Sequence, residues 1–473
     1  MTTTHPKRAL RSNTHASAGV SVDAARRRIV LTTLAAGVAG HSVADTSAKP
    51  TKRTASSIVI DQVWGGTGVS YDAVSTGPLV YVAYYDADRV FCVARIDTST
   101  GEVQKKRLDS RFEGWDAHNS TAVALDRDGR LHISGNMHTA PLVYARMQKP
   151  GDLNSIVQSN TMIGRDETSV TYPRFFRFPD GALGFSYRSG KSGDGVEIIN
   201  RWDGDAWKRL LSEPLFAPAA NGEHVSAYHT DYVQGPDGRF HVAWVWRQTT
   251  RAETNFNVMY ARSADLRQWE DSRGRKLSLP LTPQNSEVAV AIPPRSGLFN
   301  NIKLGFDGAG TPIISYLRYD GAGRSQLFHA RSTARGWQVV QATHWDYRWD
   351  FSGGGTLVGQ IGFSGVRAEN GALVEDVTHS KYGRLQLRLD ARTLDASATA
   401  PSSASSPHLP SAGIAAPYRP SVRRVRRATN ESVAGFIRWP SLGSDNNDRP
   451  RTCTSVGLAE GCRMTGSLEL LTE

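Results

Sequence analysis

Four Asp-Gly turns punctuate the chain, at Asp128-Gly129, Asp180-Gly181, Asp237-Gly238 and Asp307-Gly308, with intervals of 52, 57 and 70 residues. Each is followed by a short apolar run: LHIS at 131–134, LGFSY at 183–187, FHVAWVW at 240–246 and PIISY at 312–316. A second run then leads toward a tryptophan, from 198–202 to Trp207, from 258–263 to Trp269 and from 327–332 to Trp337. Self-similarity at such a period marks a repeat architecture, because one unit cannot bury its apolar face alone and must stack on its neighbours. The runs alternate or are β-branched, and no stretch of useful length has helical periodicity, so the chain is predicted to be all-β. A unit of about 50–60 residues with about four strands has the size of a propeller blade. The expected fold is therefore a seven-bladed β-propeller of four-stranded antiparallel blades. Two β-sandwiches would leave the recurring Asp-Gly and Tyr-Ala-Arg strands unexplained.

The ends of the chain are different in kind. Residues 1–44 carry Arg26-Arg27-Arg28, a moderately apolar run and then Ser42-Val43-Ala44, the order of a basic region, a hydrophobic region and a cleavage site in an export signal of twin-arginine type. The run is shorter than the roughly 20 residues a membrane span needs, so no stable membrane insertion is expected, and the destination is the periplasm or the exterior. A polar leader occupies 45–56 and the blades 57–394. Residues 395–430 are rich in Ser, Ala and Pro and end in Arg423-Arg424-Val425-Arg426-Arg427, which predicts a disordered linker or insertion. Strand-like sequence returns over 431–473 and completes the final blade.

The net charge of +11 belongs mostly to these segments. Residues 1–44 and 391–430 contribute +5 each, which leaves the body near +1 and removes the basic surface that a nucleic-acid partner would require. Three cysteines make no disulfide framework or zinc motif. Cys453 and Cys462 suit a small loop disulfide, and Cys92 in an apolar strand suits a buried thiol.

Between Trp115 and Arg188 the polar residues His118, His138, Tyr172 and Arg188 recur at predicted strand ends, each beside small or turn-forming residues. A propeller brings equivalent strand ends of neighbouring blades to one mouth. An imidazole and a phenol there can pass protons, and a fixed guanidinium can grip a carboxylate with two hydrogen bonds. Those parts fit β-elimination from a uronic acid: Arg neutralises the carboxylate, a base removes the C5 proton, and an acid protonates the departing O4. No metal or cofactor is required. His224, His229 and His241 would suit zinc by ligand type, but their spacing matches no compact motif.

The motifs His118-Asn119-Ser120, Gly135-Asn136-Met137-His138, Thr171-Tyr172-Pro173-Arg174-Phe175 and Tyr187-Arg188 resemble the BNR-type propeller polysaccharide lyases, the ulvan lyases and rhamnose–glucuronate lyases. The segment from Ser263 through Asp265 to Trp269 is likewise similar to the Asp-box hairpin of BNR repeats. The resemblance implies that His118 and Tyr172 form the acid/base pair, in an order left open, that His138 supports them and that Arg188 neutralises the carboxylate. Tyr228, His229 and Arg247 become substrate contacts with Asn119 and Asn136, and Asn300-Asn301 lie where a blade edge should reach the mouth. The expected partner is an anionic polysaccharide acted on by a secreted monomer. A sialidase is disfavoured because its Arg-Ile-Pro signature is absent. A glycoside hydrolase on the same scaffold, or a binding-only propeller, is the alternative.

Overall fold

The computed structural model describes residues 56–399, 414–429, 432–445 and 448–472. The expected export signal, most of the polar leader and residues 400–413 lie outside the described residues. The described chain is all-β, with helix confined to single 3-10 turns. No helix among the described residues is long and apolar enough to cross a membrane.

The two ends of the chain share one sheet. Ser56–Trp64 pairs antiparallel with Thr465–Thr472, which pairs with Val433–Ser441, which pairs with Arg419–Arg427. Arg419–Arg427 then meets Asp72–Thr76 in parallel over two residue pairs, Val74 with Arg426 and Ser75 with Arg427. From there Leu79–Tyr85, Val90–Asp97 and Val103–Arg111 complete an eight-stranded sheet. The arginine-rich stretch is thus a strand, where its composition predicted a linker. Val425 is fully buried, and Arg423 and Arg426 both lie 3.4 Å from the buried Asp72 carboxylate. A partner acid some 350 positions earlier in the chain is not visible to a composition argument.

The following sheets are antiparallel meanders. Thr121–Leu125, Leu131–Gly135, Tyr144–Met147 and Ile156–Gln158 make one. Val170–Arg177, Leu183–Lys191, Asp194–Trp202 and Trp207–Arg209 make the next, with the short strand His138–Ala140 added to its edge. Ser226–His229, Phe240–Arg247 and Asn255–Ser263 form the centre of a third. Two more start at Lys303–Phe306 and Ile361–Phe363.

The tight loops between strands are closed by an Asp at their start, which in the repeat at Asp128-Gly129 is Asp126 and in the one at Asp307-Gly308 is Asp307 itself. Asp126 Oδ1 accepts the backbone N–H groups of Asp128 and Arg130, and Asp271, Asp307 and Asp320 each accept the N–H groups two and four residues on. One carboxylate thus satisfies two amides that the tight loop turns away from the ladder. The residue three positions after each is Gly129, Gly274, Gly310 or Gly323, with φ from +75° to +81°, a region where a Cβ is strained. In the predicted Asp-box hairpin, Asp265 Oδ1 accepts from Arg267 and Gln268, and Trp269 is buried against it.

Sheets are tied to one another by buried polar links as well as by apolar packing. His132 bridges Asp126 (3.3 Å) and the Tyr144 hydroxyl (2.8 Å), and Trp207 of the next sheet donates to that hydroxyl at 2.9 Å. His241 repeats the arrangement with Asp237 (2.9 Å) and Tyr260 (2.6 Å), and Trp337 packs edge-on against Tyr260. Cys453 and Cys462 form a disulfide, and Cys92 is a buried free thiol.

Candidate active site

The ladder of the sheet around Val170–Arg177 supplies the frame. His138, Thr171, Arg188 and Glu197 are successive Cα partners across four adjacent strands, so three side chains with chemistry share one row. After Thr171 the ladder breaks: Tyr172 and Pro173 are unpaired, and pairing resumes at Arg174 with Ser186. Pro173 has no N–H to donate and fits such a bulge. Tyr172 holds φ at +58°, a strained conformation for a non-glycine residue, costing about 1–3 kcal/mol. The bulge turns the phenol out of the ladder and into the site.

Beside it, Asp116 organises two imidazoles. Its Oδ1 accepts from the backbone N–H of His118 at 2.9 Å and bonds His118 Nδ1 at 2.6 Å, while Oδ2 makes a short bond to His138 Nδ1. The two rings stack at 4.4 Å. Burial would raise the Asp116 carboxyl, but the bonds from both imidazoles outweigh it and hold the group well below the ordinary carboxylate range. Both rings engage Asp116 through Nδ1, which leaves Nε2 as the nitrogen that carboxylate does not hold. The Tyr172 ring lies 5.9 Å from His118 and 6.4 Å from His138. On its other side the Arg188 guanidinium stands 4.7 Å from the ring centroid. Burial pushes the Tyr172 phenol above its ordinary value, with Arg188 opposing.

A cleft of about 710 Å³, open mouth included, adjoins this cluster and is lined by Tyr172, Arg174, Arg188, Glu197, Tyr228 and His229, among others. Arg188 is buried, and among the described residues its Nε and Nη2 have no hydrogen-bond partner. Its stem crosses Gly195, where a Cβ would sit 2.8 Å from the Arg188 side chain. Arg247 is buried too, held by neutral amide oxygens, Asn255 at 2.7 Å and Asn300 at 2.8 Å. No carboxylate pairs with either guanidinium among the described residues. Tyr228 lies between them, 3.4 Å from Arg188 Nη1 and with its ring 3.9 Å below Arg247. Arg188 lines the cleft and Arg247 stands behind it on the Tyr228 ring, so two buried guanidiniums without a carboxylate partner among the described residues favour an anion there.

The sequence-derived residues separate into groups. His118, His138, Tyr172, Arg188, Tyr228 and Arg247 are connected through the contacts above. His229 lines the cleft, but its Nε2 bonds Glu197 at 3.1 Å and its Nδ1 faces the Thr230 carbonyl at 2.6 Å. Asn119 and Asn136 spend their amides on loop structure: Asn119 bonds the Asp116 carbonyl, and Asn136 bonds Ser110 and the Arg111 carbonyl. Asn300 reaches the cleft, whereas Asn301 bonds the Ile361 carbonyl. His224 is exposed beside Asp194 and His241 is committed to Tyr260 and Asp237, so those histidines do not gather with His229. Among the described residues, the group able to hold a cation is Asp116, His118 and His138, whose ligand atoms lie within 4.8 Å of one another.

Sequence reasoning left Asp116, Arg174 and Glu197 without a role. Asp116 stands two residues before His118 in the same turn. Glu197 could have been found from the hairpin whose Ser192-Gly193 tip sets its register against Arg188.

The model of the BNR repeat-containing family matches residues 79–345, more than half of the chain. The chain belongs to that family. Solved structures similar to this BNR chain include the polysaccharide lyase Uly1, at 15% identity and TM-score 0.56, covering 85% of this chain and 90% of that one. A PL25 ulvan lyase is similar at 12% identity and TM-score 0.54, covering 81% and 93%, and was also solved bound to -[GlcA(1-4)Rha3S]-. At these identities the likeness is one of fold, shared with these two lyases. No curated protein sequence matches this chain.

Proposed function

We propose that this BNR-family protein is a polysaccharide lyase that cleaves a uronate-containing glycan by β-elimination. The observation that carries the reading is Arg188: a buried guanidinium that lines a cleft beside two phenols and two imidazoles and has two N–H groups unpartnered among the described residues. A planar carboxylate matches that fork, and binding it there withdraws charge from C5 and makes its proton removable. Tyr172, kept protonated by burial, has the character of the acid that delivers a proton to O4. His118, 5.9 Å away and oriented by Asp116 with His138, can return a proton to Tyr172. A glucuronate next to a rhamnose, the kind of unit carried by the ligand of the PL25 structure, is the first substrate to try. The same reading takes the eight-stranded sheet as two blades, which makes the fold a seven-bladed propeller, and has the protein act as an exported monomer.

The test is a screen of glucuronate-containing polysaccharides for the ultraviolet absorbance of unsaturated uronates. Wild-type protein is expected to generate it on at least one of them, and Tyr172→Phe to lose it. A cleaving wild-type protein that never produces an unsaturated end would make the site a hydrolase instead.

A further inference from the structure

Tyr228 has surroundings that the acid/base reading of His118 and Tyr172 does not use. The phenol is buried, yet it lines the cleft. Its oxygen accepts from Arg188 Nη1 at 3.4 Å and from the backbone N–H of Gly193 at 3.3 Å, and it lies 2.7 Å from Ser192 Oγ. Arg247 covers its ring. The hairpin tip that brings Ser192 and Gly193 there is fixed: Gly193 has φ +72°, and a Cβ on it would sit 2.5 Å from the Thr249 backbone. The other titratable groups around the cleft are engaged elsewhere. Glu197 bonds His229 and Tyr232, and Arg174 faces Asp231 at 3.6 Å and His229 at 3.5 Å. The Tyr228 oxygen is therefore surrounded by donors and positive charge, with no carboxylate bonded to it.

We propose that Tyr228 is the catalytic base of the elimination, acting as a phenolate cradled by Arg188, Arg247, Ser192 and the Gly193 amide. This rests on the lyase reading. The Tyr228 oxygen takes the proton from C5: the C5–H bond breaks and an O–H bond forms. The electron pair becomes the C4–C5 double bond, the C4–O4 bond breaks, and O4 leaves with the proton of Tyr172. Negative charge passes from Tyr228 to the uronate and on to Tyr172, and Arg188 adjoins both phenols throughout. Tyr228 releases its proton to solvent and Tyr172 takes one back by way of His118, which resets the site. The two phenols are pushed apart in the sense these roles need. Burial alone would raise Tyr228, but Arg247 and then Arg188 outweigh it and bring the group below its ordinary value, whereas Tyr172 is raised.

Two readouts separate this assignment from the lyase reading beneath it. The first is a tyrosinate absorbance titration of the full protein without substrate. It should show one tyrosine ionising below the ordinary value, absent in Tyr228→Phe. The second is the pH dependence of kcat/KM on a cleaved glucuronan. It should rise as Tyr228 deprotonates, and Tyr228→Phe should lose about 10²- to 10⁴-fold together with that rising limb. Arg247→Gln, which removes the charge and keeps a hydrogen-bonding side chain, should move the limb to higher pH; a merely structural role would lower the rate and leave the limb in place. Persistence of the early titration or of the limb in Tyr228→Phe overturns Tyr228 as base and leaves the lyase reading standing. An early titration seen in a protein that forms no unsaturated product overturns the lyase reading, and the base role with it.

Discussion

Replacing Arg188 by Met separates function from stability more sharply than any other change in this protein. In wild-type protein the guanidinium is buried, makes a 3.4 Å contact to Tyr228, and leaves Nε and Nη2 unbonded. A carboxylate seated on those two groups gains two charge-assisted hydrogen bonds of about 1.5–3 kcal/mol each. Their loss is worth about 3–6 kcal/mol, or roughly 10²- to 10⁴-fold in kcat/KM at 1.36 kcal/mol per factor of ten. Met has a similar stem and no charge, so the substitution removes the desolvation cost of a buried cation that no carboxylate among the described residues neutralises. The expected outcome is a protein of unchanged or raised melting temperature with almost no elimination activity. Arg188→Lys, which keeps the charge and loses the fork, should fall between the two. Initial rates of unsaturated-uronate formation and thermal denaturation of the same preparations measure both quantities. Activity within threefold of wild type, or a melting temperature lowered by many degrees, would show that Arg188 is a structural residue and does not bind the carboxylate.

Other outcomes follow from particular contacts. Asp116→Asn removes the charge that both imidazoles share, so kcat should drop about 10- to 100-fold with the fold intact. The Asp116 carboxyl is held below its unfolded value, so its contribution to stability is present at neutral pH and lost as pH falls into the acid range; denaturation against pH should show a shallower acid limb in the variant. His329 and Glu375 form a fully buried pair at 2.7 Å, linking the strands Ser325–Thr333 and Ala372–His379, and His329→Ala should cost about 3–5 kcal/mol in urea titration while the folded protein keeps its activity. Gly193→Ala forces a Cβ against the Thr249 backbone and should withdraw the hairpin tip from Tyr228, lowering kcat more than it raises KM.

The fold was legible where local chemistry repeats. The Asp loops, the apolar strands after them and the buried Trp269 of the Asp-box hairpin are each fixed by residues within about ten positions, and such signals survive in a single sequence. Arg419–Arg427 was not legible, because its strand identity depends on the distant Asp72 and on backbone partners at both ends of the chain. The site was legible as a set of residue types: His118, His138, Tyr172 and Arg188 do converge. Its charge balance was not. That Arg188 and Arg247 lack carboxylate partners among the described residues, that Asn119 and Asn136 use their amides on loops, and that Tyr172 stands in a bulge at positive φ are facts of register and packing. A motif names the groups; it does not say which of them are already satisfied.

Product mass distinguishes elimination from hydrolysis at this BNR-family cleft without reference to any residue assignment. A glucuronate-containing oligosaccharide of defined length is digested with the full-length protein, and the fragments are weighed. Elimination adds no water, so the fragments should sum to the mass of the starting oligosaccharide, with the new non-reducing end one water lighter than a saturated uronate. Fragments that together carry one additional water, with a saturated uronate at the new end, would mean that the protein is a hydrolase and not a lyase.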